Sequence, residues 1–373
     1  MTLPQPSRSA PRRRRRRGQP SILVVVIALL LSGCGAQSAA SLLAPPPITA
    51  VPSGLPQSPA QADQQRAELA TALFGTPDLS GAKQGTTVVT PANQDSIPLS
   101  LRPLVVGTYI LTVPLKFELS SNVRVLIPAA PRHCVLLWHG GHAADAYISG
   151  GEKVVQDALL ANCRVAVLDM PLHGANAGIP ARTTDGRIVD PQRPDPYSLH
   201  NDLTWLDPDN TGAALSLFIA PVVATVDHFL TADPASDITL AGFSGGGWTT
   251  TVAAAVDPRI RHSVEVAGSQ PFTELNSCAG DYEQCHPALY GRVSMMQMYV
   301  LASQGLFREH VQFLNYNDTC CYSHIDGKAY TATVQQSVTA SGGGLFLMFP
   351  DYTLQTHAIP AAAQGWIAAW LKR

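Results

Sequence analysis

Short, continuous apolar runs recur through the last two-thirds of the chain, in the form expected of strands buried on both faces. They are Cys134–Trp138, Arg164–Leu168, Asp237–Ala241, Ser263–Ala267, Val311–Asn315 and Leu345–Phe349. Between them the apolar positions take helical spacing, over Glu152–Leu160, over Ala213–Leu230 in spite of Pro221, over Trp248–Ala255, and over Pro360–Lys372, where Ile367, Trp370 and Leu371 share one face. Upstream, Val105–Val113 and Lys116–Ile127 carry β-branched and aromatic residues around Pro114 and Ser120-Ser121-Asn122, and read as antiparallel strands opening the sheet. Strands alternating with helices predict an α/β domain with a mainly parallel central sheet flanked by helices. Such a sheet binds its ligand at the carboxyl ends of the strands.

The N-terminus follows another rule. Arg12–Arg17 precede the apolar run Ile22–Leu31, which is followed by Ser32-Gly33-Cys34. A basic region, a short apolar core and small residues make a secretory signal peptide over residues 1–33. About ten apolar residues span roughly 15 Å as a helix, half a bilayer core, which disfavours a permanent membrane span. Leu31-Ser32-Gly33-Cys34 resembles a bacterial lipobox, which implies acylation of Cys34 and a membrane partner reached through that lipid, in the cell envelope and outside the cytoplasm. Residues 34–65 are mostly Ala, Pro, Ser and Gln and are expected to be a flexible tether, leaving 66–373 as one catalytic domain. Within it, 175–210 is rich in Asp, Pro, Asn and Gly and too long for an ordinary connection, so it is expected to be a lid over the site or a solvated insertion.

Composition narrows the classes. With 46% hydrophobic and 14% charged residues, the 373-residue chain is neither a disordered polyampholyte nor a coiled coil. Seven of its 25 basic residues lie in 1–33, leaving 18 against 27 acidic ones, so the body is acidic and ill-suited to gripping nucleic-acid phosphates. Of seven Cys, six remain once Cys34 is set aside, an even number that suits disulfides in an oxidising compartment. Six Cys allow fifteen connectivities; Cys134–Cys163, which open neighbouring strands, and Cys278–Cys285 are expected pairs, while the adjacent Cys320 and Cys321 either bridge each other or pair elsewhere. No Cys-x-x-Cys pair or His cluster at ligand spacing points to zinc, and neither a metal nor an organic cofactor is expected.

The sharpest motif is Gly242-Phe243-Ser244-Gly245-Gly246-Gly247, between a strand and a helix. A Gly-x-Ser-x-Gly frame at that junction is a nucleophile elbow: the tight turn lifts the hydroxyl above the sheet, beside helix amides that favour a developing oxyanion. A serine needs a base. His357, after the last strand and before the last helix, is the best placed of the eleven His. The base needs an acid, for which Asp318 after the penultimate strand is favoured over Asp326 and Glu274, with Asp351 read as a turn residue. The amide of Gly245 and that of Gly141 or His142, in His139-Gly140-Gly141-His142, are expected to form the oxyanion hole.

Taken together, His139-Gly140-Gly141, Asp169 to Gly174, Gly242 to Gly246, Asp318 and His357 make residues 100–373 resemble the α/β-hydrolase superfamily, whose chain order is Ser, Asp, His. Asp257-Pro258-Arg259-Ile260 resembles its esterase, dienelactone-hydrolase and prolyl-peptidase-like branches. The resemblance implies cleavage of esters, amides or lactones through an acyl-enzyme, with a small or polymeric ester as the expected substrate. His-Gly-Gly-His departs from the lipase form His-Gly-Gly-Gly, and the double Cys after Asp318 is not a general mark of the superfamily. A peptidase or amidase of the same fold is the rival activity, and a non-catalytic binding protein the rival class.

Overall fold

Successive side chains of each central strand of the computed structural model enter opposite faces and nearly all are buried, so that the two faces of one sheet carry separate cores. The structure describes residues 54–142, 145–178, 180–182, 186, 188–189, 200, 203–204, 206–271 and 281–373. In chain order these form α1 (Pro59–Phe74), β1 (Val88–Pro91), β2 (Gly107–Pro114), β3 (Ser120–Ile127), β4 (Cys134–His139), α2 (Gly151–Leu160), β5 (Arg164–Leu168), β6 (Ala181–Arg182), β7 (Ile188–Val189) and α3 (Ser216–Ala232). There follow β8 (Asp237–Phe243), α4 (Gly245–Val256), β9 (His262–Val266), α5 (Tyr282–Cys285), α6 (Pro287–Tyr290), α7 (Met295–Ser303), β10 (Glu309–Asn315), α8 (Thr331–Ala340), β11 (Leu345–Asp351) and α9 (Ala361–Trp370).

The main sheet has the order β1-β2-β3-β5-β4-β8-β9-β10-β11. β1, β2, β3 and β5 pair antiparallel in turn, and every pairing from β5 through β4 to β11 is parallel. Val135 and Leu137 of β4 enter one core with α1, α3, α4 and α7, while Leu136 and Trp138 enter the other with α2 and α9. This is the predicted mainly parallel sheet with an antiparallel start. The helix Ala213–Ala232 is apolar enough to cross a membrane, but 72% of it is buried within the protein, as befits a core helix.

Several elements depart from the sequence reading. The turn between β2 and β3 lies at Lys116–Glu118, with Phe117 and Glu118 at positive φ, and Ser120-Ser121-Asn122 belong to the strand. Strand pairing decides this: Ser120, Ser121 and Asn122 stand opposite Pro114, Val113 and Thr112 of β2. Helix α1 begins at Pro59, capped by Ser58, so 59–65 are helical where a tether was expected. Its amphipathic pattern is masked by Ala and Gln, and its Arg66 is drawn inward to donate to the Ala255 and Leu301 carbonyls. Arg308 does the same for the Ala254, Leu301 and Gln304 carbonyls, so two guanidinium groups satisfy the open ends of α4 and α7. The exposed edge strand β1 and the helices α7 and α8 also escaped the sequence pattern.

Cys134 and Cys163 are joined at a Cα–Cα distance of 4.9 Å, tying the N-terminal ends of β4 and β5, and Cys320 is joined to Cys321. Cys285 is disulfide-bonded, and Cys278, the partner expected for it, lies outside the described residues. Residues 1–53, with the proposed signal segment and Cys34, lie outside them too. Closing a loop of 29 residues constrains the unfolded chain by about 3–4 kcal/mol. Replacing both Cys134 and Cys163 by Ala is therefore expected to lower unfolding free energy by roughly 3 kcal/mol in a urea titration; an unchanged midpoint would refute the role.

Candidate active site

Register brings the site together. β4 pairs His139 with Gly242 of β8, so the loop after β4 and the turn after β8 leave the sheet side by side. β10 pairs Asn315 with Asp351 of β11, so the loops carrying Asp318 and His357 also depart at one level. All four loops leave at the carboxyl edge of the parallel strands.

Ser244 sits at φ 57°, ψ −127°, a conformation that L residues rarely adopt and that costs about 1–3 kcal/mol. The turn is held by the Ser244 amide donating to Val266 O at 2.8 Å, and by the Gly247 and Trp248 amides donating back to Ser244 O. Helix α4 starts immediately afterwards, three residues earlier than its apolar periodicity suggested, because Gly245-Gly246-Gly247 form its first turn. Gly246 is required by packing: a β-carbon there would stand 2.7 Å from the carbonyl carbon of His139. Gly141 is required for the same reason, since its β-carbon would stand 2.7 Å from Ser244 Cβ, 2.9 Å from Phe243 O and 3.2 Å from Ser244 Oγ. The loop after β4 thus lies directly on the serine.

His357 is brought into the same region. Its ring lies against Phe243, with centroids 4.6 Å apart, and its Nδ1 is 2.8 Å from Asp318 Oδ2. Asp318 Oδ1 accepts from the amides of Cys320 and Cys321, so the joined cysteines shape the turn that aims the carboxylate. Burial pushes the Asp318 carboxyl up, but the His357 ring and these amides outweigh it and hold the group below the ordinary carboxylate value. Nε2 of His357 is buried without a hydrogen-bond partner, so the Ser244–His357 hydrogen bond is not closed here. A residue the sequence did not reveal positions this histidine: Asn315 Nδ2 donates to the carbonyls of Thr356 and Ala358, at 3.2 and 2.7 Å, clamping the backbone on both sides of His357.

The other candidates fall elsewhere. Asp326 is paired with Lys328 at 2.7 Å and makes no contact with His357. Asp351 accepts from the Thr353 and Leu354 amides, in the turn expected for it. Glu274 lies outside the described residues, as do Tyr197 and Trp205 of the stretch 175–210, while Leu206 of that stretch is packed in the core. At the described end of 175–210, Asp207 is buried, accepting from the Thr211 and Gly212 amides and from Tyr282 Oη.

His142 takes an unexpected place. Its ring lies over the start of α4, where a β-carbon on Gly245 would stand 2.5 Å from His142 Cε1 and 2.7 Å from Nδ1. Its Nε2 faces Glu283 Oε1 at 2.9 Å, His200 Nδ1 at 3.0 Å and Asp281 Oδ2 at 3.2 Å. Burial pushes the His142 imidazole down, but Asp281 and Glu283 push it further up, to about 9. The expectation that no His cluster gathers at ligand spacing is corrected here: His142, His200 and Glu283 lie far apart in sequence, so no spacing rule reveals them, yet their ligand atoms lie within 4.8 Å of one another. His139 and His173 are buried, each facing a carbonyl through Nδ1, and burial draws both down to about 4.

Several solved esterase structures are similar to this fold. Acetyl xylan esterase from Paenibacillus sp. R4 is similar at 11% identity and a TM-score of 0.54, and acetyl xylan esterase 1 from Thermoanaerobacterium sp. JW/SL YS485 at 13% and 0.52. Each likeness covers 86% of this chain and 96% of the other. Methylesterase BT1017 matches at 13% identity and a TM-score of 0.50, over 83% of this chain and 62% of its own. No family model and no curated protein sequence matches the chain. The chain has the α/β-hydrolase fold.

The packing at Gly141 makes a direct prediction. Gly141→Ala forces a methyl onto the Ser244 turn and is expected to cost about 1–3 kcal/mol by overpacking. Gly365→Ala, in the exposed middle of α9 with open space around it, should instead stabilise by about 0.5–1 kcal/mol. Denaturation midpoints moving in opposite directions are the expected result, and a neutral Gly141→Ala would contradict the close approach.

Proposed function

We propose that the protein is a serine hydrolase of carboxylic esters. The observation that carries the reading is the strained Ser244 turn beside a His357 ring already bound to Asp318. In the proposed reaction Ser244 Oγ attacks the ester carbonyl while His357 Nε2 takes its proton. Asp318 keeps the other proton on Nδ1 and stabilises the imidazolium. The Gly245 amide, with that of Gly141 or His142, holds the oxyanion; losing one such donor costs about 10²–10³ in turnover. The imidazolium then protonates the leaving alkoxide. Water attacks the acyl-enzyme with His357 again as base, releasing the acid and restoring the serine. Closure of the Ser244–His357 hydrogen bond belongs to the substrate complex, since such bonds often tighten only there.

The names of the similar structures, two acetyl xylan esterases and a methylesterase, favour an ester over an amide bond. The test is turnover of p-nitrophenyl esters and of matched anilides by the folded chain. Esters are expected to be cleaved in preference. Ser244→Ala should lower kcat by about 10⁶, and Asp318→Asn by about 10⁴. Retention of more than a few per cent of turnover by Ser244→Ala would overturn the assignment, and a preference for the anilides would move it to an amidase.

Anchoring at Cys34 is part of the same proposal, resting on the Arg run, the apolar run and Leu31-Ser32-Gly33-Cys34. Expressed in a bacterium fed labelled palmitate, the chain is expected to take up label and fractionate with membranes, and Cys34→Ala to do neither. Label retained by Cys34→Ala would refute it.

A further inference from the structure

Beside the serine, three stretches distant in sequence meet in a buried polar knot. The loop after β4 brings His142, the far end of 175–210 brings His200, and the entry to α5 brings Asp281 and Glu283. His142, His200 and Glu283 are buried, Glu283 completely. His142 Nε2 lies 2.9 Å from Glu283 Oε1, 3.0 Å from His200 Nδ1 and 3.2 Å from Asp281 Oδ2, and His200 Nδ1 lies 3.2 Å from Glu283 Oε2.

With neutral rings, hydrogen bookkeeping leaves this knot short of protons. His200 Nε2 is 2.8 Å from Pro171 O, a carbonyl that only accepts, so the proton of the neutral ring is on Nε2 and Nδ1 presents a lone pair inward. Glu283 offers acceptors only, and its Oε2 has no hydrogen-bond partner although it is fully buried. One proton on His142 Nε2 can satisfy one of the three atoms facing it. Buried acceptors turned on one another in this way are costly unless a cation lies between them.

We infer that His142 Nε2, His200 Nδ1 and Glu283 form a binding site for one divalent transition-metal ion, with Asp281 beside His142, and that zinc suits these ligands best. Two imidazoles and a carboxylate are ligand types that zinc accepts, and three protein ligands leave the fourth position to Asp281 or water. Two carboxylates neutralise the doubly charged ion while both rings stay neutral. With metal–ligand bonds of about 2.0–2.1 Å, the edge of a tetrahedral site is about 3.3 Å. Among these three ligands the observed separations of 2.9–3.2 Å need grow by only a few tenths of an ångström. An ion on Nε2 also fixes the His142 proton on Nδ1, the nitrogen turned toward Gly245 at the start of α4. The ion would therefore clamp the Gly141–His142 loop, the end of 175–210 and the α5 entry over the serine, in a positioning role. The site stands or falls independently of the ester reading.

The test is direct metal binding by the full-length chain, untagged, with its disulfides oxidised and its metal removed by chelation. Titration with Zn²⁺ against a chromophoric chelator is expected to show one equivalent bound, with a rise in Tm. Titration with Co²⁺ is expected to give the intense visible bands of a four-coordinate ion. His200→Gln and Glu283→Gln, each checked for folding by near-ultraviolet circular dichroism, should weaken binding at least about a hundredfold. If neither variant folds, the wild-type titration decides alone. Absence of stoichiometric zinc and cobalt uptake by the folded chain would show that protons fill the knot and would overturn the proposal. So would uptake unchanged in both folded variants, or cobalt bands of a six-coordinate ion.

Discussion

The close crossing of two backbones, at the carboxyl ends of β4 and β8, is the constraint on which the site depends. Gly141 and Gly246 have no side chains because the Ser244 turn and the His139 carbonyl occupy the space where β-carbons would lie. That contact sets the loop after β4 directly on the strained Ser244 turn, and helix α4 begins at the next residue. The sheet supplies the rigidity. β4 and β8 are central, flanked on each side by other strands and covered on both faces by buried cores. Strain of a few kcal/mol is tolerated only where such packing over-determines the backbone.

Around this crossing the remaining parts are arranged in tiers. His357 leans on Phe243 and is bound to Asp318, whose carboxylate is aimed by the amides of the joined cysteines. Asn315 fixes the backbone that carries His357. His142, His200 and Glu283 gather beside the start of α4. These supports come from loops, from the end of β10 and from α5, and hydrogen bonds tie most of them to their neighbours, so geometry there depends on specific donors and acceptors.

Much of the fold was legible because the central strands are buried on both faces and therefore read as unbroken apolar runs, such as Cys134–Trp138 and Arg164–Leu168. Ser244 was legible because its glycines have a steric cause that acts locally. The elements that escaped lack such a signature. Helix α1 hides its apolar face among Ala and Gln, β1 is an exposed edge strand, and α4 starts on glycines that no propensity favours. His142 was legible as a loop residue but not as a member of a cluster, because His200 and Glu283 reach it only through tertiary folding. Asn315 ends an apolar strand and looks ordinary until its amide meets the His357 loop.

The central claim is that tertiary contact makes the Ser244 hydroxyl reactive. Exposure of the native chain to a fluorophosphonate, followed by intact-mass measurement and peptide mapping, tests it most directly. The account predicts a single adduct on Ser244, formed by the native protein and not by the urea-unfolded one. An unmodified native protein, or an adduct mapped to another residue, would contradict it.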